Sequence, residues 1–337
     1  MGQRANLIVV AEGGYALYYS HWRANHLDCD LFWGPDHALA FIRRQRSEAE
    51  GAEWLDDVWA EGGALVDVRA SCLLWWGGED VVYDVPRRRV LLQLMAWPWR
   101  GWEIRWAHEG IADLADYVGV PRSRVLTRSD DDDGTSPPDL MLSEEPVWGA
   151  DSVLSVRTSG GELVLFPLAG GIESRLRSCD GLASAVANAT GRSRLVLDEW
   201  PQSGAHLDLS KREVVYWTAP DRPGLERRLR ERNPSWRMVW ERDRYESQLE
   251  ATGPALAFPR VDTQKILDQW QAALMAPDRD FTNYLLQIPE LTDPDKRAQI
   301  NPYALRDDPL PLATADRERI WSEALVAFNA GDRRWGA

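Results

Sequence analysis

The chain carries one pattern twice. Val9 to Tyr19 reads VVAEGGYALYY, two apolar runs around a Gly-Gly pair, and Val153 to Phe166 reads VLSVRTSGGELVLF with Gly160 and Gly161 at the matching place. Each is a β-hairpin signature, because apolar runs of strand length flank residues that turn without steric cost. Further on, Ala64 to Val68 followed by Leu73-Leu74-Trp75-Trp76 is answered by Ala205 to Leu209 followed by Val214-Val215-Tyr216-Trp217. A third block pairs Trp102 to Trp106, leading into IADLADYVG, with Trp236 to Trp240, leading into YESQLEATG. Short apolar strings recur by chance. Three matches in one order, with an offset that drifts only from about 147 to about 134, read as tandem copies of one domain.

Within the first copy, a helix is expected over Pro35 to Gln45, strands around Leu65, Leu73 and Val81, a strand over Trp102 to Trp106 and a helix over Ile111 to Val118. Strands and helices do not alternate regularly. The expected class is therefore α+β: two tandem copies of a mixed, largely antiparallel sheet-plus-helix domain, followed by a helical C-terminal segment. The expected boundaries are 1–126 for a first copy rich in tryptophan and histidine, 127–151 for an acidic, proline-containing linker, 152–252 for a diverged second copy, and 253–337 for a helical tail docking on the repeats. In that tail a helix capped by Asp262 and another from about Thr314 to Gly331 are amphipathic, with a proline-rich stretch from Pro289 to Pro311 between them.

Charge narrows the partners. There are 39 basic and 53 acidic residues, a net charge of −14, which opposes a duplex nucleic acid and attracts a basic protein. No stretch has the length and apolarity of a membrane span, and no secretory leader is read at the N-terminus. Three widely spaced cysteines, Cys29, Cys72 and Cys179, do not make a disulfide framework or a zinc knuckle, so a reducing, cytoplasmic setting is expected. Lys211, Lys265 and Lys296 are the only lysines, a bias that fits a GC-rich bacterial genome and is given no functional weight.

Tryptophan is the compositional anomaly. Of eighteen, ten lie at or before Trp106, and each ring can take about 150–250 Å² out of water. Trp76 with Trp217, Trp102 with Trp236 and Trp106 with Trp240 recur in both copies and are assigned to shared cores. Trp22, Trp33, Trp97 and Trp99 have no counterpart and serve either a larger core or an exposed recognition surface, where aromatic anchors concentrate binding energy.

The densest polar constellation runs from Ser20 to Asp30, SHWRANHLDCD, with His37 shortly after. The second copy has no histidine in the aligned segment, Pro167 to Glu173. His21, His26 and Asp28 are the candidate catalytic groups; Trp22, Arg23, Asn25, Trp33, His37, Trp97 and Trp99 are the candidate binding surface. Histidines five apart match no metal pattern, so no metal and no cofactor is assigned. Elsewhere the motifs fall short. His108-Glu109 lacks a second histidine at Ala112, and the acidic run at Asp131 to Gly134 has Ser129 and Leu140 where a calcium loop needs carboxylates. Gly77-Gly78-Glu79-Asp80 reads as a hairpin turn. Arg87-Arg88-Arg89 and the arginines from Arg222 to Arg244 recommend phosphate, but Glu226, Glu231, Glu241 and Asp243 interleave the second group and give a salt-bridged helix face. The expectation from sequence is a cytoplasmic protein-interaction module, an acidic immunity-type inhibitor of a basic toxin or other basic partner. The alternative is an enzyme or a small-molecule or metal binder with its site in the Ser20 to His37 loop.

Overall fold

The structure is a computed structural model, described over residues 3–127, 140–142, 149–276 and 310–331. The readings of 127–151 as a linker and of Pro289 to Pro311 as a loop fall mostly outside those residues. The described chain divides into two compact units: one from residues 1–82, 86–127 and 262–337, the other from residues 83–85 and 128–261. Both are mixed α+β.

The first unit is built on β1 (Ala5–Ala11), β2 (Gly14–Ser20), β3 (Arg46–Ser47), β4 (Gly62–Asp67), β5 (Cys72–Trp76) and β6 (Glu103–Trp106), in the sheet order β3-β2-β1-β4-β5-β6. Antiparallel hairpins, β1 with β2 and β4 with β5, are joined by parallel pairs, β1 with β4 and β5 with β6. Its helices are α1 (Leu27–Leu31), α2 (Pro35–Arg44), α3 (Glu79–Tyr83) and α4 (Val85–Met95), save for their end residues Tyr83 and Val85, and α5 (Ile111–Tyr117). Val81, expected in a strand, lies in α3 instead. Gly77 and Gly78, at φ +127° and +84°, end β5, and two acids at the helix start suit its positive pole. The segment is thus a strand-to-helix turn and not a hairpin.

The second unit repeats the plan. Strands β7 (Ser152–Arg157), β8 (Leu163–Leu168), β10 (Ser203–Asp208), β11 (Glu213–Thr218) and β12 (Arg237–Trp240) lie in the order β12-β11-β10-β7-β8, with helices α6 (Cys179–Asn188), α7 (Leu225–Arg232) and α8 (Glu246–Thr252). β9 (Leu195–Val196) pairs with β13 (Leu256–Ala257) in a small separate ladder. Apart from β3, which has no counterpart, the parallel and antiparallel pairings match those of the first sheet. Registers match as well: Gly63 faces Trp76 as Gly204 faces Trp217, and Leu73 faces Ile104 as Val214 faces Met238. A Cβ at Gly63 or Gly204 would run into the indole opposite, so each glycine makes room for its tryptophan. The turns agree too. Asp67 Oδ1 accepts from the backbone N–H of Arg69 and Ala70, Asp208 Oδ1 from those of Ser210 and Lys211, and Ser71 and Arg212 close the turns at φ +48° and +50°.

Two C-terminal helices, α9 (Thr263–Met275) and α10 (Thr314–Asn329), belong to the first unit. Asp262 caps α9 by accepting from Lys265 N. Ile266, Leu267, Trp270, Leu274, Trp321 and Ala324 enter the first unit's core beside Phe32, Trp33 and Trp99. That addition enlarges the first core over the second. Among the described residues, no helix is long and apolar enough to cross a membrane.

Candidate functional site

The segment after β2 packs three helical elements around a polar cavity of about 240 Å³. Residues Ala24–His26 form a 3-10 turn, α1 follows at once, and α2 begins at Pro35 after Gly34, whose φ of +98° bends the chain back. Arg23, Asn25, His26, Asp28, Trp33 and His37 all line the cavity. Glu79 and Asp80 of α3, Arg87 of α4, and Leu274, Leu310 and Arg317 of the C-terminal segment complete it.

Burial sets the chemistry of this wall. Arg23 and Asp30 are both nearly inaccessible and form a two-pronged ion pair, Nε to Oδ2 at 2.8 Å with Nη2 on Oδ1. Asp28 is equally buried, and its Oδ1 accepts from Cys29 N at 2.8 Å. Desolvation, with Asp30 adding repulsion, raises its carboxyl to about 7, so it exchanges a proton near neutrality. Cys29 shifts in the same direction, through its own burial and the Asp28 and Asp30 carboxylates beside it. Its thiol is pushed well above the ordinary range, so it is no thiolate nucleophile. His37 sits with Nδ1 at 3.3 Å from the Asp30 carbonyl and Nε2 at 3.3 Å from the Leu310 carbonyl, and burial lowers its pKa. Arg87 lies over the Trp270 ring, 4.8 Å from its centroid, and pairs with Asp80 at 2.8 Å. Arg317 lies 5.7 Å from the Trp33 centroid and donates to the carbonyls of Ala276 and Leu312.

Several site expectations need revision. His21 is buried away from the cavity, its Nδ1 2.7 Å from the Tyr19 hydroxyl and its ring against Trp22, so it does not converge with His26 and Asp28. Trp99 is wholly buried with Nε1 on the Leu31 carbonyl at 2.7 Å, and Trp33 is 8% exposed; neither presents a surface. Trp97 is half-buried and donates to Glu323 of α10. The C-terminal helices cover this side of the unit, which is why these rings are core. Only Trp22 and Trp97 of the four retain partial exposure. Of the paired rings, Trp76, Trp106, Trp217 and Trp236 are buried, while Trp102 and Trp240 are half-buried. The most exposed indole among the described residues is Trp59, with the Arg4 guanidinium 4.4 Å from its centroid. The triple arginine at 87–89 is no basic patch: Arg88 is fully buried, 4.5 Å from the Trp106 centroid, with Nη1 on the carbonyls of Val81 and Val82.

Arg87 and Arg317, 50 and 280 positions beyond His37, could not be placed here by local pattern. Among the described residues, no three His, Cys, Asp or Glu side chains are grouped to hold a metal ion. No protein-family model, curated protein or solved structure matches the chain. Fold and site together define a protein of two like-ordered mixed sheets, one of which carries a polar cavity with a carboxyl poised to titrate.

Proposed function

We propose that the first unit binds a small polar molecule in the cavity of the Arg23 to His37 segment, with Asp28 exchanging a proton with it. The observation that supports this reading most is the buried Asp28 carboxyl, held near pH 7 on the wall of a cavity that also presents arginine and histidine. The volume is below the range of about 300–1,000 Å³ typical of drug-sized ligands, so the molecule has few heavy atoms. Guanidinium, imidazole and carboxyl groups face it together, which favours a ligand with both donor and acceptor groups. Three free cysteines favour a reducing, cytoplasmic setting.

Native mass spectrometry of the full chain, with circular dichroism to check folding, tests the reading. A small molecule should be carried by the wild type and by Asp28→Asn and lost from Arg317→Gln. Its affinity should change with pH around 7 in the wild type and not in Asp28→Asn. The rival reading, capture of a basic protein by the acidic surface, predicts no carried molecule and a salt-sensitive complex unaffected by either substitution. That outcome would refute the proposal.

A further inference from the structure

The basic side chains on the wall of the first unit's cavity are already engaged. Arg23 forks onto Asp30, and Arg87 pairs with Asp80 at 2.8 Å while lying over the Trp270 ring. Arg317 donates to the backbone carbonyls of Leu312 and Ala276. His37 has a carbonyl oxygen opposite each ring nitrogen, those of Asp30 and Leu310. An occupant of the cavity therefore meets few free donors.

The groups left open are acceptors. Asp28 is only 7% exposed, and beyond Cys29 its carboxyl has no hydrogen-bond partner and no ion pair among the described residues. The carboxylate of Glu79, at the exposed start of α3, and the side-chain amide of Asn25 have neither, and both line the cavity. The glycine turn sets α3 against the buried acid: a Cβ at Gly78, the residue before Glu79, would stand 3.0 Å from Asp28 Oδ2. Asp30 on the same helix repels the Asp28 charge, and Arg87, shared with Asp80, relieves it only in part. A buried carboxyl in that position gains from a partner of opposite charge.

We infer that this cavity takes a small organic cation, an aliphatic ammonium ion whose N–H groups donate to the carboxylates of Asp28 and Glu79 and to Asn25 Oδ1. The assignment rests on the reading of the cavity as a small-molecule site and adds to it the sign of the ligand's charge. An ammonium group has three donors and no acceptor, the complement of two carboxylates and an amide oxygen. As it enters, Asp28 ionises and its proton passes to solvent. A cation thus binds more tightly as pH rises through 7, where the free carboxyl has already lost that proton.

Calorimetric titration of the full chain with 4-amino-1-butanol tests this, with 1,4-butanediol and 4-hydroxybutyrate as neutral and anionic controls of like length. The amine should bind saturably and more tightly than either control, and about tenfold more tightly at pH 8 than at pH 6, the linkage of one proton. Titrations at pH 7 in buffers of different ionisation enthalpy should show proton release on binding. Asp28→Asn should bind at every pH as the wild type does at pH 6, and Glu79→Gln should weaken binding about two- to fivefold, as an exposed charge does. Glu12→Gln, in the β1–β2 turn, should leave binding unchanged, and circular dichroism should show all variants folded. The imidazoles of His26 and His37 also charge in acid, so pH dependence that persists in Asp28→Asn would belong to them and overturn the role given to Asp28. Tighter binding of 4-hydroxybutyrate, proton uptake, equal weakening by Glu12→Gln, or no saturable binding of the amine would each overturn the cation. If the wild type still carries a small molecule in native mass spectrometry, the cavity remains a binding site and only the ligand's charge was misassigned.

Discussion

Asp28 owes its character to where the backbone puts it. Gly78 N donates to the Ala24 carbonyl at 2.8 Å, and this closes the strand-to-helix turn over the carboxyl. A side chain at Gly78 would press against Asp28, so the glycine is required twice, for its positive φ and for the space. The sign of the linkage follows. A carboxyl whose folded pKa is raised from 3.8 to about 7 favours the fold most below pH 3.8 and loses that contribution as pH climbs through 7. Asp28→Asn removes the loss and retains an oxygen for Cys29 N. In urea unfolding the variant should match the wild type near pH 4 and exceed it at pH 8 by at most about 4 kcal/mol. An equal or lower stability at pH 8 would show that the carboxyl is not desolvated as described. A group that improves stability when removed is the mark of a site kept for its chemistry.

At the scale of the elements, the two sheets show how one plan takes two kinds of core. By register, Ile8 and Leu65 of the first sheet correspond to Ser155 and His206 of the second. Ser155 Oγ lies 3.0 Å from His206 Nδ1 and donates to the Ala205 carbonyl, while Gln248 of α8 donates to Ser155 and accepts from Trp217 Nε1. The serine and histidine resemble a nucleophile and its base only in pairing; both are buried and hydrogen-bonded inward. Burial lowers the His206 pKa from 6.5 to about 4, so its neutral ring supports the fold above pH 6.5 and that support is lost as pH falls toward 4. His206→Leu, which copies Leu65, should abolish up to about 3 kcal/mol of that acid dependence in urea titrations at pH 7 and 4.5. Persistence of the full slope would place its origin elsewhere.

The same comparison shows what the sequence reveals and what it hides. The three repeated blocks were legible because their residues occupy matching register positions, and α2, α5 and α9 followed from periodicity and caps. Val81 misled because a β-branched pair after aromatic residues looks like a strand, whereas the preceding glycines had already ended one. In the first unit's cavity, the contiguous part from Arg23 to His37 was visible as a dense polar string. The wall supplied by Arg87 and Arg317 was not, since nothing local marks a contact across more than two hundred residues.

For the whole molecule, the main consequence is that the first unit's core is completed by residues from 262 onward. Trp270 is fully buried, with Nε1 donating to the Arg87 carbonyl, and Trp321 is 4% exposed. Trp270→Ala should therefore destabilise the first unit by about 3–5 kcal/mol, the usual cost of emptying a buried indole site. The second unit, whose core draws on its own residues, should keep its unfolding midpoint. Hydrogen exchange followed by proteolysis would resolve the two, and equal loss of protection in both would contradict the division into units.

That closure has a temporal side. At a synthesis rate of about 5–20 residues per second, roughly 10–40 s separate the emergence of residue 127 from that of Arg317. The inserted unit has its full set of strands on hand during that interval, while the earlier-made sheet waits, its tryptophan-rich face uncovered. The second domain to be translated is thus the first that is able to finish. A chain cut short before α10 lacks the Arg317 wall altogether, so the cavity around Asp28 exists only in a protein whose translation has run through α10.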